Sequence, residues 1–234
     1  MADFVGAVSQ SVPDRVREAL WTRGVTDEQI SLFQIGHVNG ALPDVEYPDG
    51  FAKWCSVGDR LDDSYVLPLT NVLGEVRGVQ FRHVDRARGG YMDYIEANDE
   101  AIFFGLGQAA PHMWASRGAF LVEGGFDLFP VQRVYPATIG TLTARVTEPL
   151  LRLLRRLVTR VWLGYDMDDA GRRACARYKK QLTELTEFQL VKVVEWPRCT
   201  MVGTTKLAKD PADIWETWGD AKFQEHMKKT LLGV

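Results

Sequence analysis

Residues 164–174 read "GYDMDDAGRRA", three acids within four positions, directly after the apolar run "RVWL". Carboxylates resist burial unless something neutralises them, so Asp166, Asp168 and Asp169 at the end of a core-type strand call for a partner. Asp166 and Asp168 are two residues apart, and an extended backbone projects both side chains the same way. Further acids stand in comparable places: Glu123 ends "FLVE", and Asp210 and Asp213 lie in "KDPADIW". Carboxylates that converge repel one another and take raised pKa values unless a cation sits among them. A hard divalent ion with oxygen ligands, Mg2+ or Mn2+, suits such a set. At a phosphate site that ion stabilises the attacking and leaving oxygens. The plainer reading of Asp-x-Asp before a helix is an N-cap with a favourable charge on the helix dipole, and Asp169 reads as such a cap.

Elements must bring these distant stretches together. Residues 1–12 read as a loose tail. "SVPDRVREALWTRGVTDEQISLFQIG" reads as two short helices. Asp14 starts the first, with Val16, Ala19 and Leu20 on one face and Gly24 closing it. Thr26 and Gln29 form a capping box for the second, which ends near Gly36. After the Gly-, Pro- and Asp-rich stretch 37–63, "YVLPL" and "EVRGVQFRHV" make a hairpin, "GGYMDYIEA" adds a strand, and "DEAIFFGLGQA" leads into a helix over 106–115.

From 118 strands and helices alternate. "GAFLVEGG", "PATIGT", "RVWLGYD" and "FQLVKVVEW" are the strands. Between them lie "DLFPVQRVY", a helix interrupted or started by Pro130, then "TEPLLRLLRRLV" and "DAGRRACARYKKQLTEL". Thr147 caps the middle helix, Pro149 sits in its first turn, and Leu150, Leu151, Leu154, Leu157 and Val158 face inward. "KDPADIWETWG" opens a closing helical segment, with Trp215 and Trp218 as core anchors. This alternation predicts a parallel sheet with helices packed over it. Ligands of such sheets sit beyond the carboxyl ends of the strands, which is where the acids fall.

The 234 residues are 46% hydrophobic and 25% charged, an ordinary soluble globular composition. No run approaches about eighteen apolar residues, and "MADFVGAVSQ" has no basic segment followed by an apolar one, so neither a membrane span nor a secretory signal is expected. Cys55, Cys175 and Cys199 form no CxxC pair and the four histidines do not cluster, which points to a reducing compartment and no zinc in this chain. With a net charge of −3, any nucleic-acid binding must come from local basic patches.

The order strand–Glu–Gly, strand–Gly–Thr, strand–Asp-x-Asp, then Asp-Pro resembles the TOPRIM domain shared by DnaG-like primases, type IA and type II topoisomerases and some nucleases. "VEGGFD" is similar to that family's glutamate motif, placing Glu123 and, more weakly, Asp127; "YDMDDAG" to its Asp-x-Asp motif, placing Asp166 and Asp168; "KDPAD" to the Asp-Pro motif of primases, placing Asp210. Primases often carry a second acid two residues on; here that position is Ala212, with Asp213 one later. Upstream, "LWTRGVTDEQISLFQIG", "YVLPLTNVLGEVRGVQFRHV" (with Pro68, Gly74, Gly78 and Arg82) and "DYIEANDEAIFFGLGQA" are similar to stretches of the same primases. The resemblance runs over about residues 18–220.

The resemblance implies an α/β fold: a tail over 1–12, a mixed α/β primase-like subdomain over 13–116, and a TOPRIM domain over 117–234 with a mainly parallel sheet flanked by helices. It implies synthesis of short RNA primers on single-stranded DNA from nucleoside triphosphates by divalent-metal-dependent nucleotidyl transfer. Glu123, Asp166, Asp168 and Asp210 would hold Mg2+ or Mn2+, and Arg82, Arg172 and Gly140 would meet nucleotide or template. It further implies a stripped core in a bacterial cytoplasm, encoded by a virus or mobile element, served by a separate zinc-ribbon protein and a replicative helicase. Three family basic or polar positions depart, reading Ser64, Asp93 and Glu96, and a loop lysine is missing. Arg86 and Arg88 would compensate. The alternatives are a metal-dependent TOPRIM nuclease and a non-catalytic replication subunit.

Overall fold

The structure, a computed structural model, describes residues 1–10, 12–88, 90, 92–96, 100–142 and 147–232. The chain divides into two units, residues 1–104 and 105–234.

The first unit begins with α1 (Ala2–Ser9), followed by α2 (Asp14–Trp21), α3 (Asp27–Leu32), β1 (Gly36–Val38) and α4 (Phe51–Cys55). Its sheet is completed by β2 (Ser64–Thr70), β3 (Val76–His83), β4 (Met92–Ile95) and β5 (Phe103–Phe104). β2 is the hub, antiparallel to β1, β3 and β5, and β3 pairs antiparallel with β4. Residues 1–10 of the stretch 1–12 are therefore not a loose tail: Phe4, Val5 and Val8 on α1 are buried against Val38, Phe51, Val66, Val79 and Phe81. The rings of Phe4 and Phe51 meet edge to face with centroids 5.0 Å apart. α3 has the expected capping box, with Thr26 Oγ1 accepting from Gln29 N–H at 3.2 Å and Gln29 Oε1 accepting from Thr26 N–H at 3.2 Å.

Asp63 ties this unit together ahead of β2. It accepts two hydrogen bonds from Arg15, at 3.0 and 2.6 Å, and lies 2.7 Å from His37 Nε2. The Arg15 guanidinium, helped by His37, holds the Asp63 carboxyl below the usual carboxylate range. A depressed carboxylate contributes stability above its unfolded value and loses it as pH falls through the folded one. Asp63 has φ +35, a conformation Asn tolerates. Asp63→Asn is expected to cost about 1 kcal/mol at pH 7, with the difference shrinking toward zero below about pH 3. Denaturant unfolding at the two pH values reads this directly.

The second unit contains α5 (Leu106–Ser116), β6 (Gly118–Val122), α6 (Gly125–Gln132), β7 (Thr138–Gly140), α7 (Glu148–Leu157), β8 (Arg160–Leu163), α8 (Asp169–Thr183), β9 (Leu190–Val193), α9 (Pro211–Trp218) and α10 (Asp220–Leu232). α5 packs on β6, β7 and α7 and so belongs to this unit. The strands run parallel in the order β7-β6-β8-β9. β6 is buried along its whole length, as expected for a parallel strand covered on both faces. Thr147 caps α7 as the sequence indicated, and Leu150, Leu151 and Leu154 are buried. α6 starts five residues ahead of Pro130 and runs through it. Trp215 and Trp218 are only half-buried; Trp162 and Trp196 are the indoles buried in the core among the unit's described residues. No helix among the described residues is long and apolar enough to cross a membrane.

Candidate active site

β6 and β8 are hydrogen-bonded neighbours, Phe120 opposite Trp162 and Leu121 opposite Leu163. From β6 the chain crosses through α6 to β7 on one side; from β8 it crosses through α8 to β9 on the other. Connections that leave adjacent strands in opposite directions open a crevice at the carboxyl ends. Glu123 follows β6 directly, and Asp166 and Asp168 follow β8. Met167 N–H donates to Lys209 C=O at 2.7 Å, which lays the segment before α9, with Asp210, alongside the Asp-x-Asp turn.

Two of the acids are also helix caps. Asp168, not Asp169, is the N-cap of α8: its Oδ1 accepts from the Ala170 and Gly171 N–H groups at 3.0 and 2.9 Å. The Gly171 N–H bond in particular holds its carboxyl below the ordinary range. Asp210 caps α9, its Oδ1 accepting from Asp213 N–H at 2.7 Å. Burial, and then the charge of Asp213, nevertheless push Asp210 up to about 7. The cap and ligand readings of Asp-x-Asp thus fall on one residue: Asp168 spends one oxygen on its helix and leaves Oδ2 facing the cluster.

The others are less settled electrostatically. Burial raises Asp166, with the Lys209 hydrogen bond opposing it. Glu123 is raised by burial and by the charges of Asp166 and Asp168, and its Oε2 is buried without a hydrogen-bond partner. Asp127 is buried and raised by that burial and by Asp210 and Asp166. Its two oxygens accept from Gly124 N–H at 2.9 Å and from Ala212 N–H at 3.4 Å, so it clips the turn after β6 to the start of α9. Asp213 Oδ2 accepts from Lys209 N–H at 3.2 Å, a structural task.

Sequence reasoning passed over Lys209, whose Nζ lies 2.9 Å from Asp166 Oδ2 and 3.8 Å from Asp168 Oδ2. Burial pulls its pKa down, but the hydrogen bond and charge of Asp166 outweigh that and raise it. The signal was its place immediately before Asp210. Among the described residues no three His, Cys, Asp or Glu side chains enclose an ion as they stand. The donor set nonetheless fits a hard divalent cation: its donors are carboxylate oxygens, Glu123 and Asp166 are each raised by burial and by the charge of Asp168, and one buried oxygen lacks a partner.

Of the remaining candidates, Arg172 braces the same turn, donating to Met167 C=O and to Asp169 Oδ1, the latter at 2.6 Å. Gly140 ends β7 opposite Val122, and the following Thr141 Oγ1 donates to Val122 C=O at 3.1 Å. Arg82 lies on β3 opposite Tyr65, in the first unit. Arg88, expected to compensate for lost basic groups, is bound to Asp59 and Asp62. Ser64 is fully buried, with its hydroxyl donating to Asp62 C=O at 2.8 Å. Asp93 accepts from Gln80 Nε2 at 2.8 Å. A cavity of ≈ 270 Å³, lined by Ser116, Tyr135, Arg160 and Trp162 among others, opens at the amino ends of β6 and β8, the edge opposite the acids.

The profile of the Toprim-like family matches residues 120–206. A DNA primase of Lactococcus lactis is 26% identical over 212 residues, covering 80% of this chain and 33% of the primase. One of Aquifex aeolicus is 31% identical over 119 residues, covering 47% and 23%. The chain spans about a third of the length of the first of these relatives. The solved structure of the DnaG catalytic core superposes with a TM-score of 0.74 at 21% identity, covering 97% of this chain and 78% of that one. The DnaG primase catalytic domain bound to single-stranded DNA superposes with 0.71 at 20% identity, covering 98% and 77%. The chain is thus similar in sequence to DNA primases, its residues 120–206, which hold Glu123, Asp166 and Asp168, match the Toprim-like family, and its fold is that of the DnaG catalytic core.

Proposed function

We propose that this chain is the catalytic core of a DNA primase, joining nucleoside triphosphates into short RNA primers on single-stranded DNA. The observation that carries this reading is the gathering of Glu123, Asp166, Asp168 and Lys209 where the β6 and β8 connections part, in a chain related to primases. Glu123, Asp166, Asp168 and Asp210 are the residues that would hold Mg2+ or Mn2+. The ion's chemistry there is stabilisation of charge on the triphosphate and on the attacking and leaving oxygens.

The chain's own part is to aim the carboxylate oxygens and to hold one of the four acids, Asp168, below the ordinary range. Asp168 is held ionised by the N–H groups at the start of α8. Asp127 fixes the turn after β6 against the start of α9, which sets Glu123 and Asp210 relative to each other. Arg172, beside the Asp-x-Asp turn, and Arg82, in the first unit, are the proposed phosphate contacts. Gly140 leaves the end of β7 free of a side chain for close approach of a nucleotide. No protein nucleophile is needed. The first unit, residues 1–104, acts as template-handling subdomain and the second, residues 105–234, as catalytic domain. A separate zinc-ribbon protein and a replicative helicase are the partners, in a bacterial cytoplasm.

The test is primer synthesis with labelled nucleoside triphosphates on a single-stranded template. RNA oligomers are expected with Mg2+ or Mn2+ and none after chelation with EDTA. Failure to make RNA with either metal, with a zinc-ribbon partner supplied, would overturn the reading. Metal-dependent shortening of labelled DNA would assign a nuclease instead, and template binding without either activity a non-catalytic subunit.

A further inference from the structure

We propose that Lys209 is a tethered counter-ion of the acid cluster, which a divalent ion must displace from Asp166 before it can bind. This rests on the metal-dependent reading above and deepens it. Backbone bonds on both sides hold Lys209 in place. Its C=O accepts from Met167 N–H at 2.7 Å, between the two acids of the Asp-x-Asp turn. Its own N–H donates to Asp213 Oδ2 at 3.2 Å. With Cα held there, the side chain lies along the turn and its ammonium meets Asp166 Oδ2 at 2.9 Å and Asp168 Oδ2 at 3.8 Å.

Those oxygens are ones that a divalent ion would take, and two cations cannot share them. The Lys209 side chain is half exposed on a flexible four-carbon stem, so it can swing into solvent while its backbone stays clipped. Two consequences follow. The metal-free chain is held together by Lys209 against repulsion among its carboxylates, and the metal binds more weakly than the acids alone would allow.

Mn2+ titration and thermal unfolding of the full chain test both, with Lys209→Met and Lys209→Arg beside the parent. Lys209→Met is expected to bind Mn2+ about tenfold more tightly. It should also melt lower in EDTA and show a larger rise in melting temperature with Mn2+. Lys209→Arg, keeping the charge, stays near the parent in both. A Lys209→Met chain that folds only when Mn2+ is present gives the same support. Equal or weaker Mn2+ binding by Lys209→Met, or an unchanged metal-free melting temperature, overturns the proposal while leaving the metal site standing. Asp168→Ala separates the two readings: a parent chain with no Mn2+ binding that Asp168→Ala removes would overturn the metal-dependent reading and this proposal together.

Discussion

Glu123→Gln is expected to lower primer synthesis by about 10²–10³-fold and to raise the melting temperature of the metal-free chain by about 2–4 °C. Both effects come from one charge. Glu123 is held at the end of β6 by a fully buried strand, in a position where burial and two neighbouring carboxylates disfavour its ionised form. Its Oε2 is buried without a partner. Gln keeps the shape, removes the repulsion, and offers the neighbouring carboxylates an N–H donor. What it cannot offer is the anionic oxygen that a divalent ion would require. A site that costs the resting fold something and returns it in function is the usual form of a stability–activity trade-off. Primer assays and thermal scans in EDTA check the two halves. A variant that stays fully active would remove Glu123 from the ligand set, and one that melts lower without metal would make it a structural residue.

Gly171→Ala should carry the largest structural penalty of any single methyl group near the site. Inside a helix, alanine ordinarily stabilises by about 1 kcal/mol relative to glycine. At Gly171 the added Cβ would lie 2.1 Å from the Asp166 carbonyl oxygen, 2.8 Å from its carbon and 3.0 Å from its nitrogen. These are backbone atoms and cannot rotate aside. Either α8 moves away from the turn or the turn moves away from Lys209, and the Gly171 N–H bond to Asp168 Oδ1 is lost in both cases. The expected cost is about 2 kcal/mol, accompanied by loss of Mn2+ binding. Denaturant unfolding and metal titration of the same preparation measure it. A variant as stable as the parent would mean that the turn has slack that the packing around Asp166 does not show.

The elements most readable from the sequence were those with local signals. Thr147, Pro149 and the leucine spacing defined α7, and Thr26 with Gln29 defined the start of α3. α1 escaped because it has no side-chain cap and carries Gly6, a poor helix former, among its eight residues; tertiary burial of Phe4 and Val5 makes up for weak propensity. α6 was started too late because Pro130 reads as a break. The helix is buried from Gly125 to Val131, and its cap is supplied by Asp127 three residues inside it. The same distinction governs the site. Asp166 and Asp168 announce themselves through spacing within one turn. Lys209 does not, since its role depends on a contact with a residue 43 positions away, and no local rule pairs the two. Asp169 was taken for the cap because it adjoins the helix, but the extended backbone at Asp168, φ −75 and ψ 175, gives the cap to that residue.

The shared duty of Asp168 and Asp210 bears on how such a chain would decay under relaxed selection. Each begins a helix as well as lining the crevice, and removing an N-cap acid costs about 1 kcal/mol. A lineage that had abandoned polymerisation would therefore keep both aspartates to stay folded, and would shed first the acid that no helix needs. Position 123 is the diagnostic one: on the reading proposed above, loss of the glutamate there would precede loss of either aspartate.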